Sequence, residues 1–278
     1  MQLPKLPDLS RRTISSKRWQ FRQGKDKFTK EANAQNLKSR AAFKLLEIND
    51  RHRIFKAGQT VVDLGYAPGS WSQVAVNLTR PGGRVLGVDL NPAQPPKGVS
   101  TIQGNFLSPR IQAYVKEFLQ DPSRGRPRPP LAPSRTTSST NQETSTIAET
   151  APEPGYIGLE KSSGGRVAED AADKVREVES KPVDIVLSDM LMNTSGTSIR
   201  DHIGSMDLCA SALEFACTSL KPGGHFVCKF YQGSGEKEFE NRLKEVFHRV
   251  HREKPESSRN ESPEVFFIGL RKKSDKPL

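Results

Sequence analysis

Three apolar runs in this chain each end on an aspartate: Thr60-Val61-Val62-Asp63, Val85-Leu86-Gly87-Val88-Asp89 and Asp184-Ile185-Val186-Leu187-Ser188-Asp189. A fourth, Phe226-Val227-Cys228-Lys229-Phe230-Tyr231, carries a lysine in its middle. Strands buried on both faces, as in parallel sheets, read as continuous apolar runs. Open α/β sheets receive their ligands outside the carboxyl ends of such strands. Several acids and one lysine therefore converge on a single crevice. A charge kept beside a core needs a partner or a task, so the pattern points to an enzyme.

Helical spacing fills the gaps between the runs. Ala34, Leu37, Ala41, Leu45 and Ile48 predict a helix over about 33–48 that includes Lys44. Further helices are expected near 72–78, 111–119, 207–220 and 236–247. Besides the four runs, strands are expected at 99–103, 249–251 and 264–270. The alternation implies an α/β fold: a Rossmann-like, mostly parallel seven-stranded sheet with helices on both faces. Between 121 and 182 the chain changes character, with stretches such as Thr136-Thr137-Ser138-Ser139-Thr140. Too few apolar residues occur there to offset the entropy of ordering. We read 121–182 as a disordered insertion in one domain spanning 31–278, with a short charged helix near Val167–Val178. The hydrophobic fraction of 34% over 278 residues, low for a chain packed throughout, agrees.

Forty-three Lys and Arg against 32 Asp and Glu give a net charge of +11, which suits a polyanionic partner. The excess is concentrated in the first forty residues. The arm over 1–30 reads equally as a phosphate-binding lead and as part of an import presequence. Trp19, Phe21 and Phe28 interleave with its basic residues and could stack on RNA bases or dock on the body. No apolar run approaches the roughly 18 residues of a membrane helix. Cys209, Cys217 and Cys228 form no metal-binding spacing, so reduced core thiols and no metal site are expected.

The loop Gly65-Tyr66-Ala67-Pro68-Gly69-Ser70-Trp71 is G-x-x-x-G, which excludes the G-x-G-x-x-G of dinucleotide enzymes. Pro68 and Trp71 are expected to stiffen and wall it. Asp63 at its mouth could face an ammonium or order the loop. Asp89 closes the second strand, where a carboxylate accepts from ribose hydroxyls. Together these describe an adenosine site with an amino-acid-like end, which is S-adenosylmethionine. Lys229 must pair or titrate, because an isolated ammonium in a strand interior is costly. Lys44 nearby would favour the neutral amine, while Asp189 and Glu264 would hold it in place; a structural ion pair is the plain alternative.

Ser39-Arg40-Ala41-Ala42-Phe43-Lys44-Leu45, Val62-Asp63-Leu64-Gly65 with Pro68-Gly69-Ser70-Trp71, Leu187-Ser188-Asp189-Met190, Pro222-Gly223-Gly224 through Lys229, and Ser257-Ser258-Arg259 with Glu264 occur in that order. The ordered set, from about 18 to 270, resembles the FtsJ/RrmJ-type ribosomal RNA ribose 2′-O-methyltransferases. The resemblance implies a catalytic tetrad of Lys44, Asp189, Lys229 and Glu264. In it Lys229 takes or steers the proton of a ribose 2′-hydroxyl. It also implies S-adenosylmethionine held by Pro68, Gly69, Ser70, Trp71, Asp89, Asn105, Phe106 and Asp189. Asn105 stands where many relatives carry aspartate; its amide oxygen still accepts from an adenine amine, so weaker cofactor binding is expected. Met190-Leu191-Met192-Asn193 also departs from the usual Met-Ala-Pro-Asn, which could reshape the pocket for the target base.

The arm and the short C-terminus resemble the mitochondrial branch. Expected are methylation of large-subunit rRNA at a uridine, a matrix location and a monomer. A transfer-RNA ribose methyltransferase and a non-catalytic ribosome-assembly factor are the competing readings.

Overall fold

Strand and helix alternate along the chain as the periodicities dictate. The computed structural model describes residues 26–126 and 181–274, all within one compact unit. Its elements are α1 (Lys27–Ala34), α2 (Ala41–His52), β1 (Thr60–Leu64), α3 (Ser70–Leu78), β2 (Arg84–Asp89), β3 (Val99–Gln103), α4 (Pro109–Gln120), β4 (Val183–Ser188), α5 (Ser198–Ser219), β5 (Leu220–Tyr231), α6 (Glu236–Val246), β6 (Phe247–Glu253) and β7 (Glu264–Lys272). The seven strands form one sheet in the order β3-β2-β1-β4-β5-β7-β6. Strands β1 to β5 pair in parallel, and β7 runs antiparallel to both β5 and β6. The chain winds outward from β1 to β3, then returns to place β4 on the other flank of β1. That reversal opens a crevice at the carboxyl ends of β1 and β4, where ligands of doubly wound sheets bind.

Each strand feeds both faces, because successive side chains point oppositely. Val62, Leu64, Leu86 and Val88 belong to one core layer, packed with Leu213, Phe215 and Ala216 of α5. Val61, Val85, Ile185 and Leu187 belong to the other, with Leu45 and Ile48 of α2 and Val74 of α3. Phe230 and Phe267 stack across β5 and β7 at a centroid separation of 4.2 Å.

Four elements differ from expectation: β5 begins at Leu220, ahead of the run 226–231, and the other three differ for a local reason. The helix expected over 33–48 is two helices. Asn36, at φ 54°, ends α1 in the left-handed conformation that closes helices. Ser39 Oγ then accepts the Ala41 amide to begin α2, which runs on to His52. Helix α5 starts at Ser198, well before 207, because the Asp201 carboxylate accepts the amides of Ser195 (2.6 Å) and Gly196 (3.1 Å) and ties down its first turn. Ile199 and Ile203 are exposed there, so the opening turns carry no inward apolar stripe to betray them. Finally, β6 is longer than the three residues expected, because its exposed charges mask a full ladder against β7.

Of the segment 121–182, residues 127–180 lie outside the described residues, as does the short helix expected near Val167–Val178. Residues 121–126 turn back on the sheet end. Arg84 is buried and donates to the carbonyls of Asp121 (2.5 Å) and Leu119 (3.0 Å), while Arg126 donates to the carbonyl of Gly58 (3.1 Å). Trp19, Phe21 and the rest of the arm before Asp26 are likewise outside the described residues. No described helix is long and apolar enough to cross a membrane.

Candidate active site

The crevice begins where β1 ends. Gly65 takes φ 78°, and a Cβ there would stand 2.7 Å from the Met190 Cα, so only glycine lets the chain ends of β1 and β4 approach this closely. Gly69, at φ 105°, caps α3 and packs against Pro96. Between the two glycines the loop is tied to β2: the Ala67 amide donates to Asp89 Oδ2 at 2.9 Å, and the Tyr66 hydroxyl donates to the Ala93 carbonyl at 2.8 Å. Asp89 Oδ1 accepts from the Asn91 amide at 2.8 Å. Each Asp89 oxygen thus holds one backbone amide and keeps a further lone pair for a ligand.

The cleft so formed has a volume of about 450 Å³. Its lining includes Asp89, Asn105, Phe106 and Asp189 of the eight residues expected to hold a cofactor, together with Met190 and Leu191. Pro68, Gly69, Ser70 and Trp71 stand beside it in the loop and the first turn of α3. The expectation that Trp71 walls the loop is corrected: its indole turns into the core, where Nε1 donates to the Ala41 carbonyl at 2.9 Å and the ring lies 5.6 Å from Phe266. Ser70 is likewise engaged, its hydroxyl 2.7 Å from that of Ser39. These two side chains fasten the first turn of α3 to the start of α2. Asn105 differs too: its amide oxygen already accepts the Leu107 amide at 3.0 Å, so one lone pair remains for an adenine amine.

Asp63 lies beneath this loop, wholly buried. The Ser72 hydroxyl donates to Oδ2 at 2.6 Å, and Oδ1 has no partner. Burial, opposed by the Ser72 bond and reinforced by the charges of Asp189 and Asp89, pushes the carboxyl from the usual 3.8 up to about 7. Rather than facing a ligand ammonium, the side chain orders the loop. Because the folded value is raised, the unfolded chain releases this proton first, and stability falls as pH rises from 3.8 to about 7. Denaturant titrations across that window should therefore show a flatter pH dependence for Asp63→Asn, by on the order of 4 kcal/mol over the window. Parallel slopes for variant and wild type would remove Asp63 as the titrating group.

Next to Asp189, the one member of the tetrad that lines the cleft, sheet register assembles the ionic cluster. Lys229 of β5 pairs with Phe266 of β7, two residues from Glu264, so Lys229 and Glu264 are diagonal neighbours on one face. Asp189 follows β4, whose last residue Ser188 pairs with Cys228. Helix α2 covers the same face and brings Lys44 over the Phe266 ring. The four residues named from the resemblance thus meet, as two ion pairs. Lys229 Nζ lies 2.7 Å from Asp189 Oδ1 and donates a well-directed hydrogen bond to the Asp189 carbonyl at 2.9 Å. Lys44 Nζ lies 2.5 Å from Glu264 Oε1.

The pairing corrects one expectation. Burial by itself would push the Lys229 amine down, but the charges of Asp189 and Glu264 outweigh it and hold the amine above its ordinary value. These charges favour the ammonium, whereas a neighbouring Lys44 was expected to favour the neutral amine. Lys44 faces Glu264 instead. Burial would likewise raise Glu264, yet the charges of Lys44 and Lys229 hold it below the usual carboxylate range. Among the described residues no group of three or more His, Cys, Asp or Glu is arranged to hold a metal.

Sequence reasoning missed the contacts of Tyr66, Ser72 and Glu47, the last of which accepts the amides of Glu256 and Ser257. The first two are ordinary loop and helix residues by type; Glu47 shares a helix face with Lys44, a spacing that could have found it.

Comparison with known proteins bears on this site. The model of the family described as FtsJ-like methyltransferase matches residues 37–272. The mitochondrial rRNA methyltransferase 2 of Saccharomyces cerevisiae is 39% identical over 285 residues, covering 93% of this chain and 88% of that protein. The ribosomal RNA large subunit methyltransferase E of Thiobacillus denitrificans is 35% identical over 261 residues, covering 94% of this chain and 92% of that one. A Plasmodium falciparum protein whose crystal structure is described as that of a ribosomal RNA methyltransferase superposes with a TM-score of 0.57 at 24% identity, over 84% of this chain and 97% of that chain, a likeness of fold.

Proposed function

Because the chain belongs to the FtsJ-like methyltransferase family, we propose that it methylates the 2′-oxygen of a ribose in large-subunit rRNA, with S-adenosylmethionine as donor. The target we infer is a uridine of mitochondrial rRNA, and the enzyme acts as a monomer in the matrix. The observation that carries this reading is the pairing of Lys229 with Asp189, which lines the same cleft as Asp89. The names of the relatives support the rRNA substrate and the mitochondrial location, and a net charge of +11 suits a nucleic-acid partner.

The donor set fits such a cofactor. Asp89 retains an acceptor lone pair for ribose hydroxyls, Asn105 and Phe106 line the place for a purine, and Asp189 offers a negative charge to a cation. When bound, the sulfonium supplies an already activated methyl group. The chain's own residues do the rest. Asp189 holds the Lys229 nitrogen at one point by both its carboxylate and its carbonyl. As an ammonium, Lys229 donates to and orients a ribose hydroxyl. To accept the hydroxyl proton it must first lose its own, which any second cation shared by Asp189 promotes. Lys44 and Glu264 brace the far side as a neutralised pair. General-base help of this kind contributes about 10²–10⁴-fold, and positioning adds to it.

The test is to map ribose 2′-O-methyl groups on mitochondrial rRNA from cells with and without this protein, and to repeat the transfer with purified protein, labelled cofactor, rRNA and tRNA. One rRNA position should lose its methyl group and regain it in vitro. Label on tRNA alone would turn the reading to a transfer-RNA enzyme, and cofactor binding without transfer would leave an assembly factor.

A further inference from the structure

Helix α2 grips one segment of chain with three side chains. Arg40 at its N-cap, Lys44 and Glu47 are spaced i, i+4, i+7 and so share one face. Arg40 donates to the Ser257 carbonyl. Glu47 accepts the two successive amides of Glu256 (2.6 Å) and Ser257 (3.0 Å), one on each carboxylate oxygen. Lys44 holds Glu264. The peptide of Ser257 is thereby held from its amide and its carbonyl at once, and bonds to a charged acceptor are the strong ones. The next residue, Ser258, is buried, and its amide closes a turn on the Pro255 carbonyl at 2.9 Å; further along, the Glu264 amide donates to Ser262 Oγ at 3.4 Å.

These contacts close a ring: from α2 through Glu47 to the Ser257 amide, along the chain itself to Glu264, and through Lys44 back to α2. A closed ring fixes distances that an open chain of contacts leaves free. We propose that Glu47, seconded by Arg40, is a positioning residue for methyl transfer. It sets where Glu264, the diagonal neighbour of Lys229, stands and hence where Lys44 is held. Asp26 extends the ring outward, pairing with Arg40 and lying 3.8 Å from Arg259. Glu47 itself touches neither the cleft nor the tetrad lysines in any of these contacts. The inference rests on the functional reading above for its kinetic consequence, though not for its geometric one.

Two measurements on the full chain test it. The first compares Glu47→Ala and Glu47→Gln with wild type in rRNA methylation, with turnover normalised to cofactor bound. Small displacements of catalytic groups cost up to about 10²-fold. Glu47→Ala should therefore lose on the order of ten- to a hundredfold in kcat, with the cofactor Kd unchanged. Glu47→Gln keeps one acceptor for the two amides and should recover part of that loss. Wild-type turnover per bound cofactor in both variants, or an equal loss in both that tracks a weakened cofactor Kd, would overturn the proposal. The second measurement needs no substrate: competitive acetylation of Lys44, read by mass spectrometry. Lys44 should react severalfold faster in Glu47→Ala, as the ring opens, and at an intermediate rate in Glu47→Gln. Unchanged Lys44 reactivity in Glu47→Ala overturns the proposal even if no rRNA activity is found, whereas inert wild-type protein with a reactive Lys44 in Glu47→Ala would count against the methyltransferase reading alone.

Discussion

Lys229→Ala should lower methyl-transfer turnover by about 10²–10⁴-fold, the span that a positioned acid–base group contributes, with cofactor affinity held or slightly improved. The affinity holds because Lys229 occupies Asp189, the acid best placed to meet a cationic ligand. Removing the ammonium frees that carboxylate, which is only partly shielded from solvent and so tolerates the loss. Lys229→Arg separates two roles that lysine combines. Guanidinium keeps the positive charge and can orient a hydroxyl, but it does not give up its proton near neutral pH. An arginine variant as slow as the alanine variant would place proton acceptance on Lys229, and one with most of the wild-type rate would reduce its role to charge and orientation. Single-turnover transfer combined with calorimetric cofactor titration distinguishes the outcomes. A Lys229→Ala protein that turns over normally sinks the proposed chemistry outright.

The second large effect is expected at Asp89. Its two oxygens hold the amides of Ala67 and Asn91 and so fix the first loop to the end of β2. Hydrogen bonds to a charged group contribute about 1.5–3 kcal/mol each. Loss of a ribose contact together with loosening of the loop should therefore weaken cofactor binding in Asp89→Ala by on the order of 10²-fold or more, each tenfold being about 1.4 kcal/mol. A second consequence follows from the neighbouring acid. Asp89 is one of the charges that raise the Asp63 carboxyl, so its removal should lower the Asp63 value and shift the stability window found above toward lower pH. Asp89→Asn keeps one acceptor oxygen and should fall between wild type and Asp89→Ala in affinity, while moving Asp63 as far as alanine does. Cofactor titrations with unaltered affinity in Asp89→Ala would take Asp89 out of the binding site.

Much of this was legible in the chain because it is local. Apolar runs ending on acids marked the strands, and the glycines at 65 and 69 marked a turn whose left-handed conformations other residues disfavour. The residue types of the tetrad were also legible from the order of motifs. What was not legible has a common cause. Trp71 could be assigned to a loop by its position, but whether its indole faced ligand or core depended on α2 packing against α3. The early start of α5 depended on Asp201 reaching back to Ser195 and Gly196, with no apolar period to announce it. Asp63 looked like any strand-end acid until burial under its own loop made it a weak one.

The sequence by itself determined most of the strands and helices and that the sheet is doubly wound, since periodicity is a property of the chain as written; the four ionisable side chains of the tetrad were named from the resemblance. Tertiary structure alone decided who pairs with whom. The antiparallel register of β7 on β5 and the placement of α2 give Lys44 to Glu264 and leave Asp189 to Lys229. That division decides which charges surround the central amine, because Coulomb interactions depend on separations between residues far apart in the chain, and those separations exist only once it has folded.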